Sequence, residues 1–313
     1  MSEQRMTHHI DIDAPADTVY GIIADAAAWP HRFAPTVHAE REDLGGDTER
    51  LHLWATANDQ VKAWTSRRAL APAERRIEFR QEVSSPPVAS MSGIWEIAEA
   101  GAGCRLTLHH AFTAVGDDAE GLAWIEAATD RNSHTELANI KALAEGFERI
   151  NGLTFTFYDA VVIDGPATAA YDFLYEAKLW PERLPHVAKL ELAEPVENVQ
   201  HMSMDTLAKD GSVHTTESIR ICFPAELRIV YKQLVPPSLM SVHIGQWTVR
   251  PADGGGVLVT SEHTVTVNEA NIAKVLGPDA DVAAAKDFIR RAAGGNSAAT
   301  LALTKKFVEG RDG

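Results

Sequence analysis

Between residues 37 and 114, apolar and polar positions alternate with a period of two. They do so over six stretches, roughly 37–44, 48–57, 61–70, 75–83, 88–98 and 104–114, and this pattern predicts half-buried β-strands. Gly45-Gly46, Asn58-Asp59, Ala71-Pro72 and Gly101-Ala102-Gly103 separate the stretches and supply turns. Two other segments follow the helical period. Val19, Ile22 and Ile23 share one face of a helix over Thr18–Ala27, which Asp13 or Asp17 can cap and Trp29-Pro30 ends. Leu137, Ile140, Leu143, Ala144 and Phe147 form an apolar stripe along a helical stretch over Ala119–Arg149. A short strand at His9–Asp13 precedes them all. Strand, helix, about six antiparallel strands and a long helix make an α+β unit. Its curved sheet wraps a long C-terminal helix and encloses a cavity between them.

The second half repeats this order. Pro15 and Pro166 stand 151 positions apart, as do Tyr20 and Tyr171, Trp29 and Trp180, Pro30 and Pro181, and Arg32 and Arg183. Further on, Ile77-Glu78-Phe79-Arg80-Gln81 answers to Ile229-Val230-Tyr231-Lys232-Gln233, Pro86-Pro87 to Pro236-Pro237, and Gly93-Ile94-Trp95 to Gly245-Gln246-Trp247. Asn132-Ser133 and Asn296-Ser297 read as the openings of matching amphipathic helices. Two copies of one domain are therefore predicted in tandem, 1–152 and 153–313, with almost no linker. The length of 313 residues agrees with two domains.

Composition narrows the functional classes. With 45% hydrophobic and 23% charged residues the chain reads as globular. A net charge of −15 argues against nucleic acid as a partner, and any acidic partner must dock on a local basic patch. No apolar run approaches the ~18 residues of a membrane span, and nothing at the start reads as a signal peptide, so a cytoplasmic protein is expected. Cys104 and Cys222 fall in different halves without metal-ligand spacing and read as buried small hydrophobes. The histidines show neither His-Glu-x-x-His nor His-x-x-Glu-His spacing. Asp253-Gly254-Gly255-Gly256 lacks the lysine and helix of a phosphate loop, and there is no Gly-x-Ser-x-Gly elbow. Neither a metal nor a cofactor is expected.

The chemistry is expected on Ala63–Leu70. As a strand it puts Trp64, Ser66 and Arg68 on one face, a ring, a hydroxyl and a guanidinium suited to a flat, oxygen-rich ligand. An edge strand with a solvated arginine is the competing reading. Together with tandem duplication, this strand, Ala14-Pro15 followed by Trp29-Pro30, Met91 and Trp95 on the next hairpin, and the helix bearing Asn132-Ser133 carry a family resemblance. Over nearly its whole length the sequence resembles the polyketide aromatase/cyclases of bacterial aromatic (type II) pathways, in the helix-grip, START-like superfamily, and more closely their di-domain members. The resemblance implies two tandem helix-grip domains. It also implies a poly-β-keto chain held as a thioester on acyl carrier protein, and an aldol cyclisation of the first ring followed by dehydration to an aromatic product. In the di-domain type it implies a ketoreduced chain joined at its seventh and twelfth carbons.

Arg68 matches the family's pocket arginine, where a guanidinium binds charge developing on carbonyl oxygens; a salt bridge to a carboxylate is the alternative. Ser66 either hydrogen-bonds a keto oxygen or braces Arg68, and Trp64 either stacks on a planar intermediate or fills the core. Of the adjacent His109 and His110 only one can face the cavity, and parity favours His110 as the proton shuttle, with a structural histidine as the alternative. Phe33, Trp54, Phe79, Met91 and Trp95 are expected to line or floor the cavity. Thr36 is expected there too, where some single-domain relatives carry a tyrosine. Asn132 and Glu136 stand one turn apart on the long helix and can contact the ligand, although helix capping also explains Asn132. The second copy keeps Ser218, Arg220 and His263 but has Thr216 in place of the tryptophan. Chemistry in the first copy alone and in both copies are both open, with the first favoured by Trp64 and Met91. Arg67, Arg75, Arg76 and Arg80 form a candidate surface for an acidic carrier protein. The rival class is a non-catalytic START-like binding module or chaperone for a hydrophobic or polyketide ligand. Monomer and homodimer are both open.

Overall fold

The computed structural model describes residues 3–57, 60–207 and 211–310; the Asn58-Asp59 turn lies outside them. The chain divides into two compact units between Ile150 and Asn151. Unit 1 runs β1 (Gln4–Ile12), α1 (Ala16–Ala24), α2 (Trp29–Arg32), β2 (Thr36–Gly45), β3 (Thr48–Ala57), β4 (Gln60–Ala71), β5 (Arg76–Gln81), β6 (Val88–Ala100), β7 (Gly103–Ala114) and α3 (Ala119–Glu145). Its sheet has seven strands in the order β1-β7-β6-β5-β4-β3-β2. Every neighbouring pair is antiparallel. A short α4 (Phe147–Leu153) carries the chain across the boundary.

Unit 2 has β8 (Thr154–Ile163), α5 (Ala167–Tyr175), α6 (Trp180–Arg183), β9 (Val187–Val196), β10 (Val199–Leu207), β11 (Val213–Phe223), β12 (Arg228–Val235), β13 (Met240–Pro251) and β14 (Val257–Val267). It ends in α7 (Ile272–Leu276) and α8 (Val282–Val308). The sheet order is β8-β14-β13-β12-β11-β10-β9. Each unit is thus an α+β helix-grip domain. Asp253-Gly254-Gly255-Gly256 is the turn between β13 and β14, its three glycines all at positive φ.

The core of unit 1 lies between sheet and helices. Val19, Ile22 and Ile23 of α1 and Leu137, Ile140 and Leu143 of α3 pack against Ile77, Trp95, Ile97, Leu106 and Leu108 of the strands. Cys104 and Cys222 are buried, free thiols.

Local chemistry moves several boundaries. Pro15, not Asp13 or Asp17, stands at the N-cap of α1 with no side-chain cap, and Asp17 pairs instead with Arg75. Trp29-Pro30 does not end helical structure but begins α2, where a first-turn proline lacks only an N–H that would go unpaired. Asn132-Ser133 and Asn296-Ser297 open no helix. They lie inside α3 and α8, whose N-caps are Asp118, accepting from the Gly121 N–H, and Asp281, accepting from the Ala284 N–H. Gly146 breaks the predicted Ala119–Arg149 helix, so α3 stops at Glu145.

Strand register brings residues distant in sequence into one line. Glu49 of β3 stands opposite Arg68, Arg68 opposite Phe79, Phe79 opposite Gly93, and Gly93 opposite His110. One row therefore crosses five strands on the face that looks toward α3. Gly93 is required there, because a Cβ would come within 2.4 Å of both the His109 carbonyl oxygen and the Phe79 ring. Its absence lets Phe79 lie flat across the row and meet His110 edge-on, with ring centroids 5.7 Å apart.

Candidate active site

A cavity of about 300 Å³ opens between the sheet of unit 1 and α3. Its floor comes from the inward positions of successive strands: Leu51 and Leu53 of β3, Trp64, Ser66 and Arg68 of β4, Phe79 and Gln81 of β5, Met91 and Trp95 of β6, and His110 of β7. Thr129, Asn132, Ser133 and Glu136 of α3 form the roof, and Trp29 one wall. The strand residues meet because side chains on one face recur every second position. The roof residues recur at three- and four-residue spacing, as one helical face requires.

Arg68 is almost fully enclosed, 3% exposed. Its Nε donates to Glu49 Oε1 at 2.8 Å, its Nη1 to the Ile23 carbonyl at 2.8 Å and its Nη2 to the Ala24 carbonyl at 2.6 Å. Nη2 also lies 2.5 Å from Glu49 Oε1. Glu49 accepts from Arg41 as well, at 2.6 Å, and the guanidinium sits over the Trp29 ring at 5.3 Å. Burial lowers the pKa of Arg68 and Glu49 opposes that shift. With five N–H donors, Arg68 keeps one Nη1 hydrogen beyond these four contacts. The carboxylate salt bridge is thus present, and the side chain lines the cavity as well. Ser66 lines it beside Arg68, two residues away on the same face.

His110 faces the cavity, and burial, reinforced by His8 and His109, pushes it down to about 4, so it is neutral at pH 7. Its Nδ1 stands 3.5 Å from Ser133 Oγ. His109 lies on the outer face, 2.9 Å from Thr7 Oγ1 and 3.4 Å from Glu96. Glu136 is exposed by surface area because it opens onto the cavity, while the protein packed around that cavity disfavours its charge and pushes the carboxyl up to about 7. An imidazole held neutral and a carboxyl poised at neutrality therefore share one cavity.

Phe33, Thr36 and Trp54 are not among the lining residues. Trp54 follows Leu53 on β3, so the strand period sends it to the opposite face, where its ring lies 5.4 Å from that of His38. Phe33 packs edge-on against Trp29, centroids 5.9 Å apart, and joins the core instead. A tight turn from the Phe33 carbonyl to the Thr36 N–H leads into β2, where Thr36 is buried. Of the candidate basic surface, Arg75 is paired with Asp17 and Glu99, and Arg76 with Glu78 and Glu96, leaving Arg67 and Arg80 exposed. Sequence reasoning missed Glu49. Its signal was a carboxylate at the parity of Leu51 and Leu53 on an otherwise apolar strand face. Thr129 and Ser133 were legible by their spacing from Leu137.

In unit 2 the corresponding row is Gln200, Arg220, Tyr231, Gly245 and His263. Arg220 is 1% exposed and donates to the Leu174 carbonyl at 2.6 Å. His263 is saturated. Its Nδ1 stands 2.8 Å from Tyr231 Oη and 2.9 Å from His243 Nε2, and its Nε2 stands 2.7 Å from Ser297 Oγ and 3.1 Å from Ser261 Oγ.

Comparison with known proteins decides the family. The chain is 44% identical over 309 residues to the actinorhodin polyketide synthase bifunctional cyclase/dehydratase of Streptomyces coelicolor, covering 96% of this chain and 95% of that one. It belongs to the di-domain polyketide aromatase/cyclases. Residues 3–145 of this aromatase/cyclase match the family model described as polyketide cyclase/dehydrase and lipid transport. The crystal structure of BexL, a di-domain ARO/CYC from the BE-7585A biosynthetic pathway, superposes with a TM-score of 0.89 at 51% identity, over 98% of this chain and 99% of that one. StfQ, a di-domain ARO/CYC from the steffimycin pathway, gives 0.87 at 32% identity over the same shares. The aromatase/cyclase is accordingly a polyketide cyclase/dehydratase. Among the described residues no helix is long and apolar enough to cross a membrane.

Proposed function

We propose that residues 1–152 form the aromatase/cyclase domain that performs the chemistry, and that residues 153–313 form a cyclase-like domain built on the same frame. The substrate is a ketoreduced poly-β-keto chain on acyl carrier protein, closed between its seventh and twelfth carbons and then dehydrated. Convergence of Arg68, Ser66, His110 and Glu136 on one cavity carries this reading.

Ser66 and the uncommitted Arg68 N–H hold the keto oxygen on which charge develops. Glu136 as carboxylate takes a proton from the methylene; the carbon–carbon bond forms, and the resulting alkoxide takes that proton back. In dehydration the same carboxylate removes the next α-proton and delivers it to the departing hydroxyl, so water leaves and the proton count balances. Neutral His110 donates a ring N–H to a neighbouring keto oxygen. Trp64, Phe79, Met91 and Trp95 hold the chain flat and exclude water, and Asn132 contacts it from the roof. Ser218, Arg220 and His263 belong to the other domain. The exposed Arg67 and Arg80 are where the acidic carrier protein docks, and the enzyme works in the cytoplasm without a cofactor.

Reconstitution with minimal synthase, carrier protein and ketoreductase tests this. Arg68→Ala is expected to divert product to misfolded shunt compounds, and Arg220→Ala to leave the profile unchanged. Diversion by both variants assigns chemistry to both domains. An unchanged profile with both favours the binding-module reading.

A further inference from the structure

Behind His110, outside the cavity, three metal-ligating side chains converge. His8 of β1 pairs with Leu108 on the inner face of the sheet and is buried. Asp130 and His134 stand one turn apart on α3, both exposed. His8 Nε2 lies 3.0 Å from Asp130 Oδ1, His134 Nδ1 lies 3.6 Å from the same oxygen, and the two imidazoles stand edge to face with centroids 5.0 Å apart. One donor atom from each residue falls within 4.8 Å of the other two. Among the described residues no other three His, Cys, Asp or Glu side chains converge in this way.

We propose that His8, Asp130 and His134 bind a divalent transition-metal cation of the Zn²⁺ class. Two imidazoles and one carboxylate suit a borderline cation, whereas Mg²⁺ and Ca²⁺ favour all-oxygen shells. Around a tetrahedral Zn²⁺ with bonds near 2.0–2.1 Å, neighbouring donors stand roughly 3.3 Å apart, and the two separations from Asp130 bracket that value. Asp130 supplies the charge. Its Oδ1 already accepts from His8 Nε2 at 3.0 Å and faces His134 Nδ1 at 3.6 Å. His8 is a buried ring whose Nδ1 meets no partner among the described residues, so Asp130 is its one side-chain anchor. Binding exchanges two weak contacts, His8 to Asp130 and His134 to the Asp130 carbonyl at 2.9 Å, for coordinate bonds. Water completes the shell on the exposed side.

The ion's position suggests its effect. It ties β1 to the turn of α3 that presents Thr129, Asn132 and Ser133 to the cavity and places Ser133 beside His110. Here the metal clamps the roof and takes no part in the reaction.

The test is titration of the metal-stripped full chain with Zn²⁺ by calorimetry, with Co²⁺ as a visible-absorption probe, in the wild type, His134→Ala and His134→Cys. We expect one saturable ion per chain and a loss of affinity of at least ~10-fold in His134→Ala. In His134→Cys we expect retained binding with a thiolate-to-Co²⁺ charge-transfer band. The wild type alone of the first two should unfold at a higher temperature when Zn²⁺ is added. Because His134 is exposed, its replacement leaves the fold intact, and an unchanged circular dichroism spectrum verifies this. No saturable binding by the wild type, or binding that His134→Ala leaves unaltered, overturns the proposal.

Discussion

The two units place the same arginine, glycine and histidine in the same row, and then treat them differently. In unit 1 Arg68 has a carboxylate, Glu49, and His110 has only a distant serine. In unit 2 Gln200 takes the place of Glu49, and Arg220 lies buried with its Nη1 unpartnered among the described residues, as is Gln200 Oε1. Tyr231 replaces Phe79, and His243 replaces Met91. Thr300, hydrogen-bonded to the Asn296 carbonyl, stands where α3 has Glu136. A histidine whose every position is taken by Tyr231, His243, Ser261 and Ser297 is structural, whereas one with an unspent ring nitrogen beside a cavity can meet a ligand. The histidines thus contrast one way and the arginines the other: His263 is spent on internal bonds and His110 is not, whereas Arg68 is closely paired and Arg220 is not.

The comparison is broken most sharply by exchanging the two counter-residues. Glu49→Gln leaves Arg68 buried without its anion and is expected to cost roughly 3–5 kcal/mol in urea unfolding. Gln200→Glu should change stability by no more than about 1 kcal/mol, because the pairing gained with Arg220 is offset by the lost donor to Glu194 and the Tyr175 carbonyl and by repulsion from Glu194. Giving Glu136 the residue of unit 2, as Glu136→Thr, should slow product formation by ~10²-fold or more. Glu136→Gln should do likewise and also flatten the pH–rate profile. Because the carboxylate acts first as base, the wild-type rate is expected to rise with pH through about 7.

Acid sharpens the contrast. Burial depresses His110 and His263 to about 4 and His243 to about 3. A histidine lowered in this way contributes stability that is present above its unfolded pKa and lost as the pH falls from there toward the folded value. Unit 2 has two such rings at its site, His263 in the row and His243 beside it, with His186 also lowered elsewhere in the unit, and unit 1 has one. Between pH 7 and pH 5, denaturant titration should therefore show the extra ring making unit 2 lose about 2 kcal/mol more than unit 1. Glu136, which takes up its proton near 7 in the folded state, should widen that gap by stabilising unit 1 as the pH falls. A small change is expected from Tyr231→Phe, which removes the hydroxyl's bond to His263 and its longer contact to His243 and should cost about 1 kcal/mol without altering the product.

Periodicity made the sheets, the long helices and the duplication legible, because burial on one face leaves its mark at every second or every third and fourth residue. It also separated His110 from His109 and grouped Trp64, Ser66 and Arg68. Trp54, expected in the cavity, has the opposite parity to Leu51 and Leu53, which hold the inner face of β3. What remained illegible depends on partners distant in sequence. That Arg68 meets Glu49 follows from β3–β4 register, and that Glu136 opens onto the cavity follows from how α3 lies over the sheet. Asn132 reads as a cap until Asp118 is seen making the first-turn bond fourteen residues earlier. The convergence of His8 with Asp130 and His134 leaves no spacing motif, because β1 and α3 are more than a hundred residues apart.

Gly93 and Gly245 have a consequence for how such a chain diverges after duplication. Each is pinned by an opposing backbone carbonyl and an aromatic ring, so a mutation at either glycine meets a wall of atoms. The positions beside them are under no such constraint. Glutamate and glutamine differ by one codon base, and so do phenylalanine and tyrosine. Across the five-residue row the two units thus differ at two residues, each interchange within reach of a single base change, with a frame that folds at either end of the path.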